Sequence, residues 1–293
     1  MAQRTAKQRR ADNQRAAKLA ELRAAESRRR ARVVASLGAV GVVILIVVIM
    51  VIVKVSTGDS GKSGSTTASS KVVGQATSVP ASVFDKVGAG TLNNPPTPIT
   101  GGQASSGTPK VLYVGAEYCP YCAAERWAVV AALSRFGTWS NLGETTSSST
   151  DVFPDTPTLS FHGASFTSKY LDFAGYETQD RHQQPLDTLP KQDQQLFGKY
   201  DAPPYVPQSS AGAIPFVYYG GKYLSSGASF DPSVLHGLTH TQIAKAMHDP
   251  SSAVAKGVDG TANTITAAIC KLTGGKPGNV CNSPGVKAGA AKL

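Results

Sequence analysis

Cysteine and charge are both scarce in this sequence. The chain of 293 residues contains four cysteines, which excludes a small scaffold held together by a dense set of disulfides. Charged residues make up 16% of the chain, below the usual share of about a quarter. Hydrophobic residues make up 41%, which excludes a chain that is disordered throughout. The length is sufficient for one large domain or two small ones.

The positive charge is concentrated at the N-terminus. The net charge is +10, and residues 1–32 carry +8 of it through eleven Lys/Arg and three Asp/Glu, so the other 261 residues carry +2. Such a tail can bind RNA or a partner, but it also acts as a topology signal that lies on anionic lipid. We interpret residues 1–32 as a cytoplasmic tail of the second kind and expect no nucleic-acid binding.

An uncharged apolar run of 21 residues, 33–53, follows the tail. As a helix it spans about 31 Å, close to the hydrocarbon thickness of about 30 Å. The basic tail precedes the run and only Lys54 follows it closely, so the N-terminus is expected in the cytoplasm. The long core without an Ala-x-Ala-like site favours an uncleaved anchor over a signal peptide. We predict a single-pass plasma-membrane protein, a flexible linker at 54–71 and an extracytoplasmic domain at 72–293.

Hydrophobic patterning predicts alternating strands and helices in this domain. Lys110–Gly115 has the pattern of a buried strand, and a helix follows Cys122. The other predicted elements are a pair of strands formed by TLSFHG and residues 166–177, a helix in residues 186–200 entered at Pro190, a hairpin turning at Gly220-Gly221, and two helices near Thr241–His248 and Gly260–Leu272.

The motif Cys119-Pro120-Tyr121-Cys122 lies between the predicted strand and its helix. Unpaired N–H groups and a partial positive charge at a helix N-terminus stabilise a thiolate. In Cys-x-x-Cys motifs such placement lowers the thiol pKa to about 3.5–7.5. Cys119 is therefore the predicted nucleophile, and Cys122, one turn on, is the predicted resolving thiol. Pro120 suits the first helical turn, which needs no N–H.

Other roles for this cysteine pair stay open. It could be half of a zinc site, a structural disulfide, or a degenerate site kept as scaffold. The second cysteine pair, Cys270 and Cys281, has an eleven-residue spacing and no His-x-x-x-His nearby, which disfavours zinc. Outside the membrane that pair is expected to form a structural disulfide, with a second redox centre as the alternative. We interpret the histidines as surface or capping residues, and we expect no metal and no cofactor.

The stretch VLYVGAEYCPYC, followed by a helix, resembles the thioredoxin superfamily, in which a strand, a Cys-x-x-Cys motif and a helix occur in that order. The stretch AIPFVYYGGKYLSSGAS resembles the cis-proline loop of that fold and the hairpin after it. The resemblance implies that Pro215 is the cis-proline and lines the substrate groove with Ile214. We therefore predict an α/β, thioredoxin-like fold, with an insertion at 138–213 between the first helix and the cis-proline loop.

A narrower resemblance covers residues 75–285. The stretches GAEYCPYCAAERWAVVAALSRFG, SSSTDVFPDTPTLSF and DPSSAVAKGVDGTANTITAAICKLTG resemble a family of bacterial and archaeal membrane-anchored proteins that is catalogued as domain-of-unknown-function family 929. The resemblance implies a fold but no substrate.

Three positions near the motif differ from thioredoxin or have two interpretations. Tyr113 occupies the place of the buried Asp that lies six residues before the first Cys in thioredoxins, so the carboxylate that handles the proton by that route is absent here. We interpret Glu117 as an exposed loop charge. Glu125, one turn after Cys122, could accept the Cys122 proton or be a solvated helix residue. The Pro120–Tyr121 pair resembles glutaredoxins, but the predicted topology argues against a glutathione-binding role.

Two functional hypotheses follow from these residues. The first is a membrane-anchored thiol–disulfide oxidoreductase that acts on protein thiols or disulfides of the envelope, with an unidentified membrane protein as its redox partner. The second is a redox-idle assembly or binding subunit of a membrane complex. The direction of electron flow is not readable from the sequence, because 30 mV of potential corresponds to only about 1.4 kcal/mol.

Overall fold

The computed structural model describes residues 65–100 and 107–293. The predicted tail, the predicted span at 33–53 and most of the predicted linker lie outside these residues. Within the described ranges, no helix combines the length and apolarity needed to cross a membrane.

The described chain has a mixed α/β architecture. Its helices are α1 (Ser70–Thr77), α2 (Ala81–Val87), α3 (Pro120–Leu133), α4 (Lys191–Tyr200), α5 (His240–Ala246), α6 (Ala253–Leu272), α7 (Gly278–Cys281) and α8 (Pro284–Ala290). Its strands are β1 (Thr66–Thr67), β2 (Thr97–Pro98), β3 (Lys110–Gly115), β4 (Gly137–Ser140), β5 (Gly143–Thr146), β6 (Pro157–Ser160), β7 (Ser165–Ser168), β8 (Asp172–Glu177), β9 (Phe216–Tyr219) and β10 (Tyr223–Ser226).

A five-stranded sheet in the order β2-β10-β9-β3-β8 positions the cysteine motif. Strand β3 pairs in parallel with β8 and antiparallel with β9, and β9 turns into β10 through the predicted Gly220-Gly221 hairpin. Both turn glycines have positive φ, at 52° and 80°, which suits residues without a Cβ. The predicted buried strand and hairpin are therefore confirmed, and β3 ends at Gly115, four residues before Cys119.

Helices cover both faces of this sheet. Successive side chains of a strand point to opposite faces, so Val111 and Tyr113 join the apolar cluster that contains α3 and α6, whereas Leu112 and Val114 join the cluster on the other face. Helix α4 packs against β9 on that second face. Because β3 is buried on both faces, its sequence is almost continuously apolar.

Strands form within TLSFHG and residues 166–177, but their predicted pairing with each other is wrong. These residues contribute to three strands in three different sheets: β6 pairs with β5, β7 with β4, and β8 with β3. Local sequence shows strand propensity but does not show the partner, because a strand is stabilised by the side chains packed beside it. Strand β8 lies within the predicted insertion at 138–213 but belongs to the five-stranded main sheet.

Two predicted boundaries also move. Strand β1 and the start of α1 lie within the predicted linker at 54–71. Ser69 caps α1, because its side chain accepts a hydrogen bond from the Val72 amide at 3.3 Å. Helix α6 begins at Ala253 instead of Gly260. A Cβ at Gly260 would lie 2.7 Å from the Ala89 carbonyl oxygen, so this glycine permits a close backbone approach within the helix.

Candidate active site

Cys119 is the N-cap residue of α3. Its backbone is extended, with φ −79° and ψ 121°, and its sulfur accepts a hydrogen bond from the Cys122 amide at 3.3 Å. Pro120 occupies the first helical turn, where a missing N–H is harmless. The structure holds Cys119 and Cys122 as free thiols, with Cys119 6% exposed and Cys122 fully buried.

The pKa values of the two thiols shift in opposite directions. A hydrogen bond from the Cys122 side chain lowers the pKa of Cys119, the Cys122 amide and the Arg126 charge act in the same direction, and burial opposes them. Burial raises the pKa of Cys122 well above its usual value. Cys119 therefore becomes a thiolate first, while Cys122 keeps its proton. That division suits one attacking and one resolving thiol.

The loop before β9 lies against Cys119. The Ile214–Pro215 peptide bond is cis, and the Cys119 thiol lies 3.8 Å from the carbonyl oxygen of Ile214. Because β9 pairs with β3, the start of one strand and the end of the other meet at the same sheet edge. The sheet thus places Ile214 and Pro215 beside the N-terminus of α3.

Residues of the predicted insertion flank the motif. The Tyr118 carbonyl oxygen accepts a hydrogen bond from the Ser148 amide at 2.8 Å, and the Tyr121 ring packs edge-on against Phe153 with centroids 6.2 Å apart. Tyr121 is 42% exposed and Val152, next to Phe153, is 62% exposed. Apolar surface therefore borders the cysteines on this side.

Arg126, which sequence reasoning did not identify, is buried one turn behind Cys122. Its Nε and Nη2 atoms donate to the two carboxylate oxygens of Glu177 at 2.8 and 2.6 Å. Burial alone would lower the pKa of Arg126, but the Glu177 carboxylate raises it well above its ordinary value. The available signal was the adjacent charged pair Glu125–Arg126 within a largely apolar segment that follows the motif.

Tyr113, on β3, interacts electrostatically with both members of this ion pair. Its side chain is fully buried, and its hydroxyl has no hydrogen-bond partner among the described residues. A Cβ placed on Gly115 would lie 2.4 Å from this hydroxyl, so only glycine leaves room for the ring. Burial raises the pKa of Tyr113 well above its usual value, which keeps the hydroxyl neutral.

The two glutamates on either side of the motif differ from expectation. Glu117 is buried, not exposed, and its carboxylate accepts hydrogen bonds from Ser160 Oγ at 2.6 Å and Thr145 Oγ1 at 3.4 Å. Glu125 is also buried, so its interpretation as a solvated residue is wrong. Its carboxylate accepts hydrogen bonds from the Ser229 amide and hydroxyl at 2.9 and 3.0 Å, rather than contacting Cys122. Burial raises the pKa of Glu125 to about 7.

The second cysteine pair lies at the C-terminal helices. A disulfide joins Cys270 on α6 to Cys281 on α7, with Cα atoms 5.7 Å apart. Two of the histidines bind backbone carbonyls: His240 Nε2 lies 2.8 Å from the Thr145 oxygen, and His248 Nε2 lies 2.9 Å from the Gln75 oxygen. No cluster of three or more potential metal ligands occurs among residues 65–100 and 107–293.

Comparison with known proteins identifies a family. A family model described as a domain of unknown function, DUF929, matches residues 102–271, which include the motif, the Ile214–Pro215 loop and most of α6. No curated protein and no solved structure matches the sequence. Because the family match covers 170 of the 293 residues, more than half of the chain, the protein belongs to the DUF929 family.

Proposed function

We propose that this protein is a thiol–disulfide oxidoreductase with a thioredoxin-like fold and an insertion after its first helix. The observation that carries the proposal is the placement of Cys119, whose sulfur accepts the Cys122 amide hydrogen bond at the N-terminus of α3. The strand–motif–helix order, the cis Ile214–Pro215 bond and the β9–β10 hairpin support the thioredoxin-like assignment.

The residues suggest the following exchange. The Cys119 thiolate attacks one sulfur of a substrate disulfide, forming a mixed disulfide and releasing the other substrate sulfur as a thiolate. Cys122 loses its proton and attacks the Cys119 sulfur, which releases the second substrate thiol and leaves a Cys119–Cys122 disulfide. The substrate gains two electrons and the protein loses two. In the opposite direction the same steps oxidise a dithiol substrate.

The predicted topology assigns substrates and partners to this chemistry. With residues 33–53 as the membrane anchor and the N-terminus in the cytoplasm, the thiols face proteins of the cell envelope. An oxidase requires a membrane partner that removes electrons from Cys119–Cys122, and a reductase requires one that delivers them. We propose no cofactor.

The reduction potential of the Cys119–Cys122 pair tests this function. The detergent-solubilised full chain is equilibrated in glutathione buffers, and each cysteine peptide is quantified by mass spectrometry. A value between about −120 and −180 mV indicates an oxidant or isomerase, and about −270 mV indicates a reductase. A pair that stays oxidised below about −300 mV behaves as a structural disulfide, and the enzyme proposal then fails.

A redox-idle assembly or binding subunit is the second candidate. The limited exposure of Cys119, at 6%, favours it, because a buried thiol is a poor target for a protein substrate. The two candidates differ in the effect of Cys119→Ala in cells that lack the wild-type protein. An oxidoreductase loses its function, whereas an assembly subunit keeps it if the variant accumulates to the wild-type level.

A further inference from the structure

Arg126 is tied to the backbone that holds Cys119. Its Nη2 atom donates to the Ala116 carbonyl oxygen at 2.6 Å. The same oxygen accepts a hydrogen bond from the Cys119 amide at 3.2 Å. The guanidinium and the nucleophilic residue therefore share one acceptor at the turn between β3 and α3.

The Arg126 charge lies in a dry environment near both thiols. Arg126 and Glu177 are both fully buried, and Nη1 of Arg126 is 3.4 Å from Thr158 Oγ1. Electrostatic interactions act over longer distances in a protein interior than in water. The Arg126 charge stabilises the charged form of Cys119 and of Cys122.

Glu177 places a negative charge directly beside Arg126. Its carboxylate oxygens lie within 2.8 Å of two guanidinium nitrogens, so the negative charge partly cancels the positive field that reaches the cysteines. The ionisable groups of the described residues that interact with the cysteines or with Glu177 include Tyr113, Tyr118 and Glu117, and burial raises the pKa of both tyrosines, which keeps them neutral. Arg126 is thus the positive group that acts on both thiols, and Glu177 is its counter-ion.

We infer that the Arg126–Glu177 ion pair regulates the Cys119–Cys122 dithiol, with Arg126 stabilising the Cys119 thiolate and Glu177 restraining that stabilisation. This inference rests on the proposed function and adds to it two positioning residues that touch neither substrate nor the reacting sulfur. A purely structural ion pair would only hold α3 against β8. Removing its positive charge and removing its negative charge would then not shift the pKa of Cys119 in opposite directions.

Two substitutions separate these roles because they remove charges of opposite sign. Glu177→Gln leaves the Arg126 charge unbalanced, so the Cys119 pKa should fall and the reduction potential should rise, since the reduced form is stabilised. Arg126→Gln removes the cation, so the Cys119 pKa should rise and the potential should fall. Asp193→Asn is the matched control: it removes the buried carboxylate of another ion pair, with Lys110 at the opposite end of β3 from the motif.

The readout is the pH dependence of Cys119 alkylation by iodoacetamide in the reduced, detergent-solubilised full chain. Each cysteine peptide is followed by mass spectrometry, and the potential is measured in parallel. Below the wild-type midpoint we expect Glu177→Gln to react at least about threefold faster, a shift of about half a pKa unit. Arg126→Gln should react more slowly, and Asp193→Asn should match the wild type.

The inference is overturned if Glu177→Gln and Arg126→Gln shift the midpoint in the same direction, or if Glu177→Gln behaves like Asp193→Asn. If Arg126→Gln does not fold, the comparison of Glu177→Gln with Asp193→Asn decides. Failure of the proposed function is a separate result, because it is seen in the wild-type potential and not in the difference between variants.

Discussion

The Cys119 thiol lies 3.8 Å from the carbonyl oxygen of Ile214, which is 95 residues further along the chain. The contact depends on the antiparallel pairing of β3 with β9, which brings the motif and the Ile214–Pro215 loop to one edge of the sheet. A protonated Cys119 donates to Ile214, whereas the thiolate loses that contact and keeps the hydrogen bond from the Cys122 amide. Reaction at Cys119 is therefore coupled to the loop that faces it.

Cys122→Ser should trap Cys119 in a mixed disulfide. With glutathione disulfide as the probe, Cys119 is expected to retain glutathione because no second thiol can release it. The wild type should instead form the Cys119–Cys122 disulfide. Mass spectrometry of the intact chain and its peptides distinguishes the products. Cys119→Ser is the control, and equal labelling of its buried Cys122 would contradict the assignment of the nucleophile.

Asp259 should make the protein less stable as the pH rises. It is buried on α6, its carboxylate oxygens have no hydrogen-bond partner among the described residues, and burial raises its pKa to about 8. The folded state thus binds more protons than the unfolded state above the ordinary pKa of 3.8, so the free energy of unfolding falls with pH up to about 8. Glu125 adds an effect of the same sign up to its pKa of about 7.

Asp259→Asn should remove this penalty. We expect the variant to gain more over the wild type at pH 8.5 than at pH 5, with the two gains differing by the order of a few kcal/mol. Chemical denaturation of the solubilised chain at the two pH values measures the difference. Asp249→Asn is the control, because Asp249 is exposed and its hydrogen bonds with Ser251 lower its pKa. An equal gain at both pH values would contradict the titration of Asp259.

Tyr113→Phe should stabilise the protein by about 1 kcal/mol. The substitution removes a buried hydroxyl that has no partner in the described part of the chain, and the desolvation cost of that group disappears. Tyr219→Phe is the control, because the Tyr219 hydroxyl lies 3.5 Å from Ser225 Oγ. Denaturation midpoints of the two variants are compared. A loss of stability in Tyr113→Phe would show that the hydroxyl has a partner.

The Cys270→Ala/Cys281→Ala variant should lose about 3 kcal/mol of stability, as expected for opening a loop of this length. The alkylation profile of Cys119 should stay unchanged, because the disulfide joins α6 to α7 and lies outside the Cys119–Ile214 contact. A change in that profile would instead indicate that the second cysteine pair exchanges electrons with the first.

The sequence by itself determined the local features of this protein. The spacing of Cys119 and Cys122 and the proline between them place one thiol at the helix start and the other a turn later, because helix geometry depends on neighbouring residues. The apolar run of β3 and the Gly220-Gly221 turn are equally local, and the structure agrees with both. The membrane span at 33–53 is likewise predicted from a local run of apolar residues, and it lies outside the described residues.

Only the tertiary structure decided which charged residues surround the cysteines. Arg126 contacts Glu177, which is 51 residues further along the chain, because β8 pairs in parallel with β3. The sequence prediction instead pairs this strand with the stretch TLSFHG. Glu117 and Glu125 were expected at the surface or near Cys122, yet both are buried against hydroxyl groups. Burial and long-range pairing depend on how sheets and helices pack together, and the local pattern of residues does not determine that packing.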